Sequence, residues 1–319
     1  MQQSKGEGCL GEKPAVTVVI IADYAVGSAQ AWDQVRAVWE ALQDQDFDEP
    51  VEYLVAAFDD QRGKVPREIT SLSPELRVFY GTSQNSYTLK NEAVAAASSE
   101  LVAILDADCR PDPDWLGLCV AALRQDPDAA AVSGRTEYPR DTFAGRAMGL
   151  LERSYIEAGG TETRHIANNG AGFRRSVYLQ HLLPVDHGIF ASKEQSEAMR
   201  RAGHRLLFEP RMRVVHEFDD AFDRDHRAGV GYGTIYMRRH NRSLPGAWAS
   251  RLGYFSVPLF LAARFSKSCL YAFRFHARYG VHWYELPAVI VLAVRGSLRE
   301  IRGMVRAVHD QPPPPTGFR

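Results

Sequence analysis

Apolar residues gather along this chain into short unbroken runs, and the stretches between them carry apolar positions three and four apart. The runs are Val16 to Ile21, Val51 to Phe58, Leu76 to Tyr80, Leu101 to Leu105 and Ala129 to Gly134. Runs of this length, rich in β-branched residues, predict strands buried on both faces. After the first run, Trp32, Val35, Val38, Trp39 and Leu42 trace one helical face. An alanine-rich helix is predicted over Glu92 to Ser98, another opens at Trp115, and a third spans Phe143 to Ala158. Strands alternating with helices predict an α/β fold: a Rossmann-like, mostly parallel sheet flanked by helices, with its ligand crevice at the carboxyl ends of the strands. Asp23, Asp59-Asp60 and Asp106 stand at such ends.

Composition narrows the classes. The chain has 319 residues, 45% of them hydrophobic, which is enough for a sizeable core. Lys and Arg number 38 against 39 Asp and Glu, so bulk charge gives no reason to expect a nucleic-acid partner. Cys9, Cys109, Cys119 and Cys269 lie far apart with no CxxC pair, which fits reduced thiols in a cytoplasmic setting. The polar start MQQSKGEGCLGEKP lacks the apolar centre of a signal peptide, and no run of about 18 apolar residues predicts a membrane span. No GxGxxG follows the first run, which removes the main support for a dinucleotide-binding dehydrogenase.

The chemistry concentrates in LVAILDADCRPDPDWL, Leu101 to Leu116. Its apolar run ends in Asp106 and Asp108, two residues apart, so both carboxylates project to one side of an extended chain. Paired carboxylates suit a hard cation such as Mg²⁺ or Mn²⁺, with phosphate oxygens completing its shell. A bare Asp-x-Asp is more often a polar loop; the strand before it and the PDPDWL after it favour a site.

This segment resembles the metal-binding motif of family 2 glycosyltransferases, which have a GT-A fold. The resemblance implies a nucleotide-diphosphate sugar donor held through Mn²⁺ or Mg²⁺ by Asp106 and Asp108, and a glycan or lipid-linked acceptor. It extends to further pieces in the family's order. Asp23, Asp59 and Asp60 fall where the family holds the nucleoside. Lys90-Asn91, expected just before a helix, falls where a basic residue and Asn meet the diphosphate. The Asn168-Asn169-Gly170 stretch, ahead of Phe173-Arg174-Arg175, falls where sugar and acceptor are lined. SEAMRRAGHRLLFEPRMRVVHEF resembles the family's helix, Arg-Ala-Gly turn, strand and terminal Val-x-His, so His216 is implied as a third contact to metal or diphosphate.

One departure matters. Counting back from Ala202-Gly203, the family's Glu-Asp pair, which supplies the catalytic base, should fall at Ala191 and Ser192. Neither is acidic. The nearest acids are Asp186, Glu194 and Glu197, and Glu194 is the first choice for the base; favouring a helix N-terminus is its plain alternative. No QxxRW is present, which argues for transfer of one sugar at a time.

Arg238, Arg239 and His240 are candidates to cover donor phosphates from a mobile loop, against a solvated helix face. Phe255 to Phe275 and Tyr284 to Val294 are apolar but interrupted by Arg264, Lys267, Arg274 and Pro287. They predict either interfacial helices on the inner face of a membrane or helices packed on the catalytic domain. The expected organisation is a disordered start over 1–13, a GT-A domain over 14–240, a helical extension over 241–310 and a disordered tail over 311–319. Oligomeric state, sugar and acceptor stay open. Two rivals remain: a degenerate binder of nucleotide sugars, and a nucleotidyltransferase, whose glycine-rich basic loop is not found in ADYAVGSAQ.

Overall fold

The computed structural model describes residues 13–22, 29–156, 161–185, 190–217, 220–242 and 244–314. The expected disordered start (all but Lys13) and the last residues of the tail lie outside these, as do Asp23 and Asp186.

Four parallel strands form one half of an eight-stranded sheet. They are β1 (Val16–Ala22), β2 (Val51–Phe58), β3 (Leu76–Gly81) and β4 (Leu101–Asp106). The unbroken β-branched runs are explained by burial on both faces. Val18 and Ile20 face Val35, Trp39 and Leu42 of helix α1 (Ala29–Gln43), while Val19 and Ile21 face Leu89 and Val94 of helix α3 (Ser86–Ala96). Helix α2 (Arg67–Thr70) lies between β2 and β3.

The other half is mixed. The order across the sheet is β3-β2-β1-β4-β7-β6-β8-β5, with β5 at Cys109–Pro111, β6 at Ala129–Glu137, β7 at Ala171–Arg174 and β8 at Arg205–His216. The four-residue β7 runs antiparallel to both β4 and β6, which the run pattern did not predict. Helix α4 (Trp115–Gln125) lies so close over β7 that a Cβ on Gly172 would sit 2.1 Å from Cys119 Sγ. β5 pairs antiparallel with the end of β8 and sets Cys109 opposite His216.

Helix α5 (Phe143–Arg153) is shorter than predicted: it starts at the Thr142 cap and ends before the chain returns towards β7. Helices α6 (Arg175–Gln180) and α7 (Ala191–Arg201) cover the α3 face.

The C-terminal part is helical and packed inward. Helices α8 (Asp220–His240) and α10 (Leu286–Val308) approach so closely that a Cβ on Gly303 would lie 1.8 Å from Ala228 O, and one on Gly231 2.0 Å from Glu300 O. Helix α9 (Ser256–Phe275) packs beside them, and its Phe275, together with Tyr279 just after it and Val289 of α10, lies against Ala147 and Leu150 of α5. A buried ion chain ties four helices together: Glu152 of α5 to Arg227 of α8, Arg227 to Glu300 of α10 at 3.3 Å, and Glu300 to Arg264 of α9 at 2.5 Å. Arg238 to His240 are the last turn of α8 and not a loop. Arg239 there donates to the carbonyls of Ala307 and Val308, closing the end of α10. No helix of the described residues is long and apolar enough to cross a membrane.

Candidate active site

The parallel register puts Ile21 beside Asp106, and Ala107 N donates to Ile21 O at 3.1 Å, so the acidic pair begins where β4 leaves the sheet. Helix α3 starts earlier than the sequence suggests. Asn85 caps it, its Oδ1 accepting from Tyr87 N at 2.9 Å and Thr88 N at 3.1 Å. Lys90 therefore sits one turn inside the helix, not before it. Its ammonium reaches Asp106 Oδ1 at 2.7 Å and Asn168 O at 3.4 Å. Burial, with Asp108 nearby, pushes the Asp106 carboxyl up, and the Lys90 charge opposes that.

Asp108 meets His216 across the β5–β8 pair, Oδ2 to Nε2 at 3.4 Å. His216 Nδ1 lies 2.7 Å from the carbonyl of Glu217, which can only accept, so Nδ1 carries the proton. The ring is held edge-on against Tyr138, centroids 5.4 Å apart. Nε2 then presents a lone pair towards a carboxylate oxygen, an arrangement satisfied by a cation shared between them, either a proton or a metal. One Asp oxygen and one imidazole whose second nitrogen is fixed by a carbonyl form a donor set that fits a divalent metal. Cys109 Sγ completes a close cluster with them, but burial and the two neighbouring carboxylates push its thiol well up, and it stays protonated.

Beside these residues lies a cavity of about 310 Å³. Lys90, Asp106, Asn168, Asn169 and His216 all line it, so the structure brings together five of the residues singled out in the sequence. Asn168 is 4% exposed; its amide donates to Ser192 Oγ at 3.2 Å and Gln195 Oε1 at 3.1 Å, and its Oδ1 has no hydrogen-bond partner.

Other candidates stand elsewhere. Asp59 is exposed and paired with Arg62 at 2.9 Å, and Asp60 accepts from Gln61 at 3.2 Å. The Asn91 amide is used at both ends, donating to Leu183 O and accepting from Leu183 N and Tyr178 OH, so it clamps α3 to the chain after α6. Gly170 serves packing, since a Cβ there would lie 2.8 Å from Val214. Glu194 is half-buried in the first turn of α7, next to the wall residues Ser192 and Lys193 but not part of the wall. Glu197 pairs with Arg200 at 3.0 Å.

The wall also holds residues that sequence reasoning passed over. Burial would raise the Glu152 carboxyl, but Arg227, His226 and Arg264 outweigh it and hold it down at about 2. Burial and the surrounding cations lower His165 to about 4, leaving a neutral imidazole whose Nδ1 has no hydrogen-bond partner. Lys193 of α7 and Arg264 and Lys267 of α9 complete a basic side. Only the clustering of basic residues inside apolar C-terminal runs hinted at the last two.

The sequence profile described as Glycosyl transferase family 2 matches residues 19–182. The chain belongs to that family. A search of curated proteins finds no match. Among solved structures, the chain is similar to the mannosyltransferase PcManGT from Pyrobaculum calidifontis, solved in complex with GDP-Man and Mn²⁺. Identity is 17%, coverage is 94% of this chain and 88% of that one, and the TM-score is 0.62. GalNAc-T7, solved with UDP, GalNAc and Mn²⁺, is 14% identical over 73% of this chain and 52% of its own, with a TM-score of 0.49. This glycosyltransferase therefore has the GT-A-like α/β fold expected from its sequence, and its C-terminal helices fall outside the matched span.

Proposed function

We propose that the chain moves one sugar from a nucleotide-diphosphate sugar to an acceptor hydroxyl, with inversion at the anomeric carbon and with Mn²⁺ or Mg²⁺ bound. The observation that carries this is the Asp108–His216 donor set beside the Lys90–Asp106 pair, with Lys90, Asp106 and His216 lining one cavity. A metal bound there would neutralise the charge of the leaving diphosphate. Asp108 and His216 would hold it. Lys90 opposes the effect of burial on the Asp106 carboxyl and orients it, and Asn168 and Asn169 offer amide groups to sugar hydroxyls. PcManGT, with GDP-Man and Mn²⁺ in its structure, supports a donor of the same class.

Two groups are available for the proton of the acceptor hydroxyl. Glu194 is the acid nearest the place where the family carries its base; His165 is the neutral base on the cavity wall. Ser192, held by Asn168 at that place, is also the observation that favours a non-catalytic binder of nucleotide sugars. Incubation with a panel of nucleotide sugars and candidate acceptors tests the reading. Release of nucleoside diphosphate with a glycosylated product supports it. Binding without turnover favours the binder, and release of pyrophosphate would indicate a nucleotidyltransferase.

The outer side of the C-terminal helices supports peripheral contact with the inner face of a membrane. Trp248, Phe255 and Trp283 are 71%, 79% and 75% exposed, and Leu259, Leu270 and Phe273 follow one face of α9. Exposed aromatics of this number, with Arg251, Arg274 and Arg295 also exposed in the same helical part, suit an anionic lipid surface.

A further inference from the structure

Lys193 and Lys267 reach one cavity from two helices, α7 and α9. Each lies near an aromatic ring, Lys193 Nζ 5.7 Å from the Phe190 centroid and Lys267 Nζ 5.2 Å from that of Tyr271. Neither forms an ion pair among the described residues. Arg264, beside them, is already committed to Glu300. Arg238 adds further positive charge, and Glu194 is the acid that acts back on Lys193. Two lysines gathered in a partly buried place without an ion pair of their own are costly, and perturbed cations of this kind in a cavity are candidates for binding an anion.

The place of the cluster decides which anion. The sheet order puts β1 and β2 on one side of β4, and the crevice over their carboxyl ends is where a nucleoside would lie. The cavity wall takes in His216 at the end of β8 and the 165–169 segment that leads into β7, both across β4 from β1. Apart from Lys90 and Tyr87 of α3, and Asp106 at the end of β4, its wall comes from segments that follow α4 in the chain. The lysines thus stand away from the nucleoside side, where the group that attacks the sugar must enter.

We infer that Lys193 and Lys267 bind an anionic group of phosphate type carried by the acceptor, so that the acceptor enters with its charge against α7 and α9. This deepens the glycosyl-transfer reading and rests on it. Neutral His165 beside the lysines leaves the acceptor hydroxyl a partner that adds no charge.

The test is calorimetric titration of inorganic phosphate into the full chain, without nucleotide. Wild type should bind it, and the double variant Lys193→Met, Lys267→Met should lose roughly tenfold or more in affinity. Lys193→Arg with Lys267→Arg should retain binding, and thermal unfolding of the methionine variant without phosphate should show a fold at least as stable. Asp108→Asn should bind phosphate as wild type does, and saturating UDP or GDP with Mn²⁺ should leave phosphate affinity within about threefold. No phosphate binding, or equal binding by the double methionine variant, would overturn the site. Loss in Asp108→Asn, or displacement by the nucleotides, would assign the lysines to the donor diphosphate and overturn the acceptor assignment. Failure of every nucleotide to bind would strike the glycosyl-transfer reading and with it the acceptor assignment, while the phosphate titrations would still decide whether the lysines form an anion site.

Discussion

Lys90 of α3 reaches across to the last residue of β4 and sets its ammonium 2.7 Å from Asp106 Oδ1, in a place where the lysine side chain is 7% exposed. Removing one partner of a buried pair leaves the other charge uncompensated, which costs more than the pair itself contributes. Lys90→Met is expected to lower stability by about 3 kcal/mol at neutral pH, read from urea unfolding. An unchanged midpoint would mean that Asp106 finds its compensation elsewhere.

The proton acceptor separates two residues. General-base catalysis is worth about 10² to 10⁴ in rate. If His165 takes the proton, His165→Gln loses that factor in turnover with donor affinity kept, Glu194→Gln stays near wild type, and activity falls only as pH drops through about 4, where the imidazole charges. The reverse result, a large loss in Glu194→Gln alone, would place the base in the first turn of α7. Steady-state kinetics with separate donor-binding measurements decide between them.

The parallel half of the sheet was legible because β1, β2 and β4 are buried on both faces, and such strands must be apolar throughout. The placement of Asp106 and His216 at strand ends was legible because each follows an apolar run. β7 and β5 were not, since four and three residues are too few to show a period. The true start of α3 was missed because Asn85 caps it ahead of Ser86-Tyr87-Thr88, which carry no apolar helical face. The basic wall was missed for a different reason. Lys193 and Lys267 are 74 positions apart in sequence, and only the packing of α9 brings them into one cavity.

Burial and the charges of Arg238, Lys267 and Arg264 lower Lys193 to about 8, against the ordinary 10.5, with Glu194 pulling the other way. Between about 8 and 10.5 the unfolded chain therefore holds a proton that the folded chain has released, and stability contributed by this group rises with pH across that window. Below about 8 both states are protonated and the cost of the buried charge is fully present. The difference in urea midpoint between pH 7 and pH 9.5 should be larger in wild type than in Lys193→Met, and the variant should be the more stable at pH 7. Equal pH dependence in the two proteins would contradict this.

The exposed aromatic side of α9 and of the turn before α10 should carry the chain to lipid. The full chain is expected to sediment with anionic vesicles at low salt and to be released as salt rises. Replacing Trp248, Phe255 and Trp283 by Ser should abolish sedimentation without lowering the melting temperature, since all three are largely exposed. Failure of wild type to bind such vesicles would leave this surface without a lipid role.

In the proposed function Asp108 and His216 hold the metal that holds the donor. Calorimetric titration of UDP and GDP, with and without Mn²⁺, tests it most directly, in wild type, Asp108→Asn and His216→Ala. At least one nucleotide should bind wild type in a Mn²⁺-dependent way, and each variant should lose about tenfold or more of that affinity while keeping its fold. Nucleotide affinity that is the same with and without Mn²⁺, or the same in both variants as in wild type, would contradict the account.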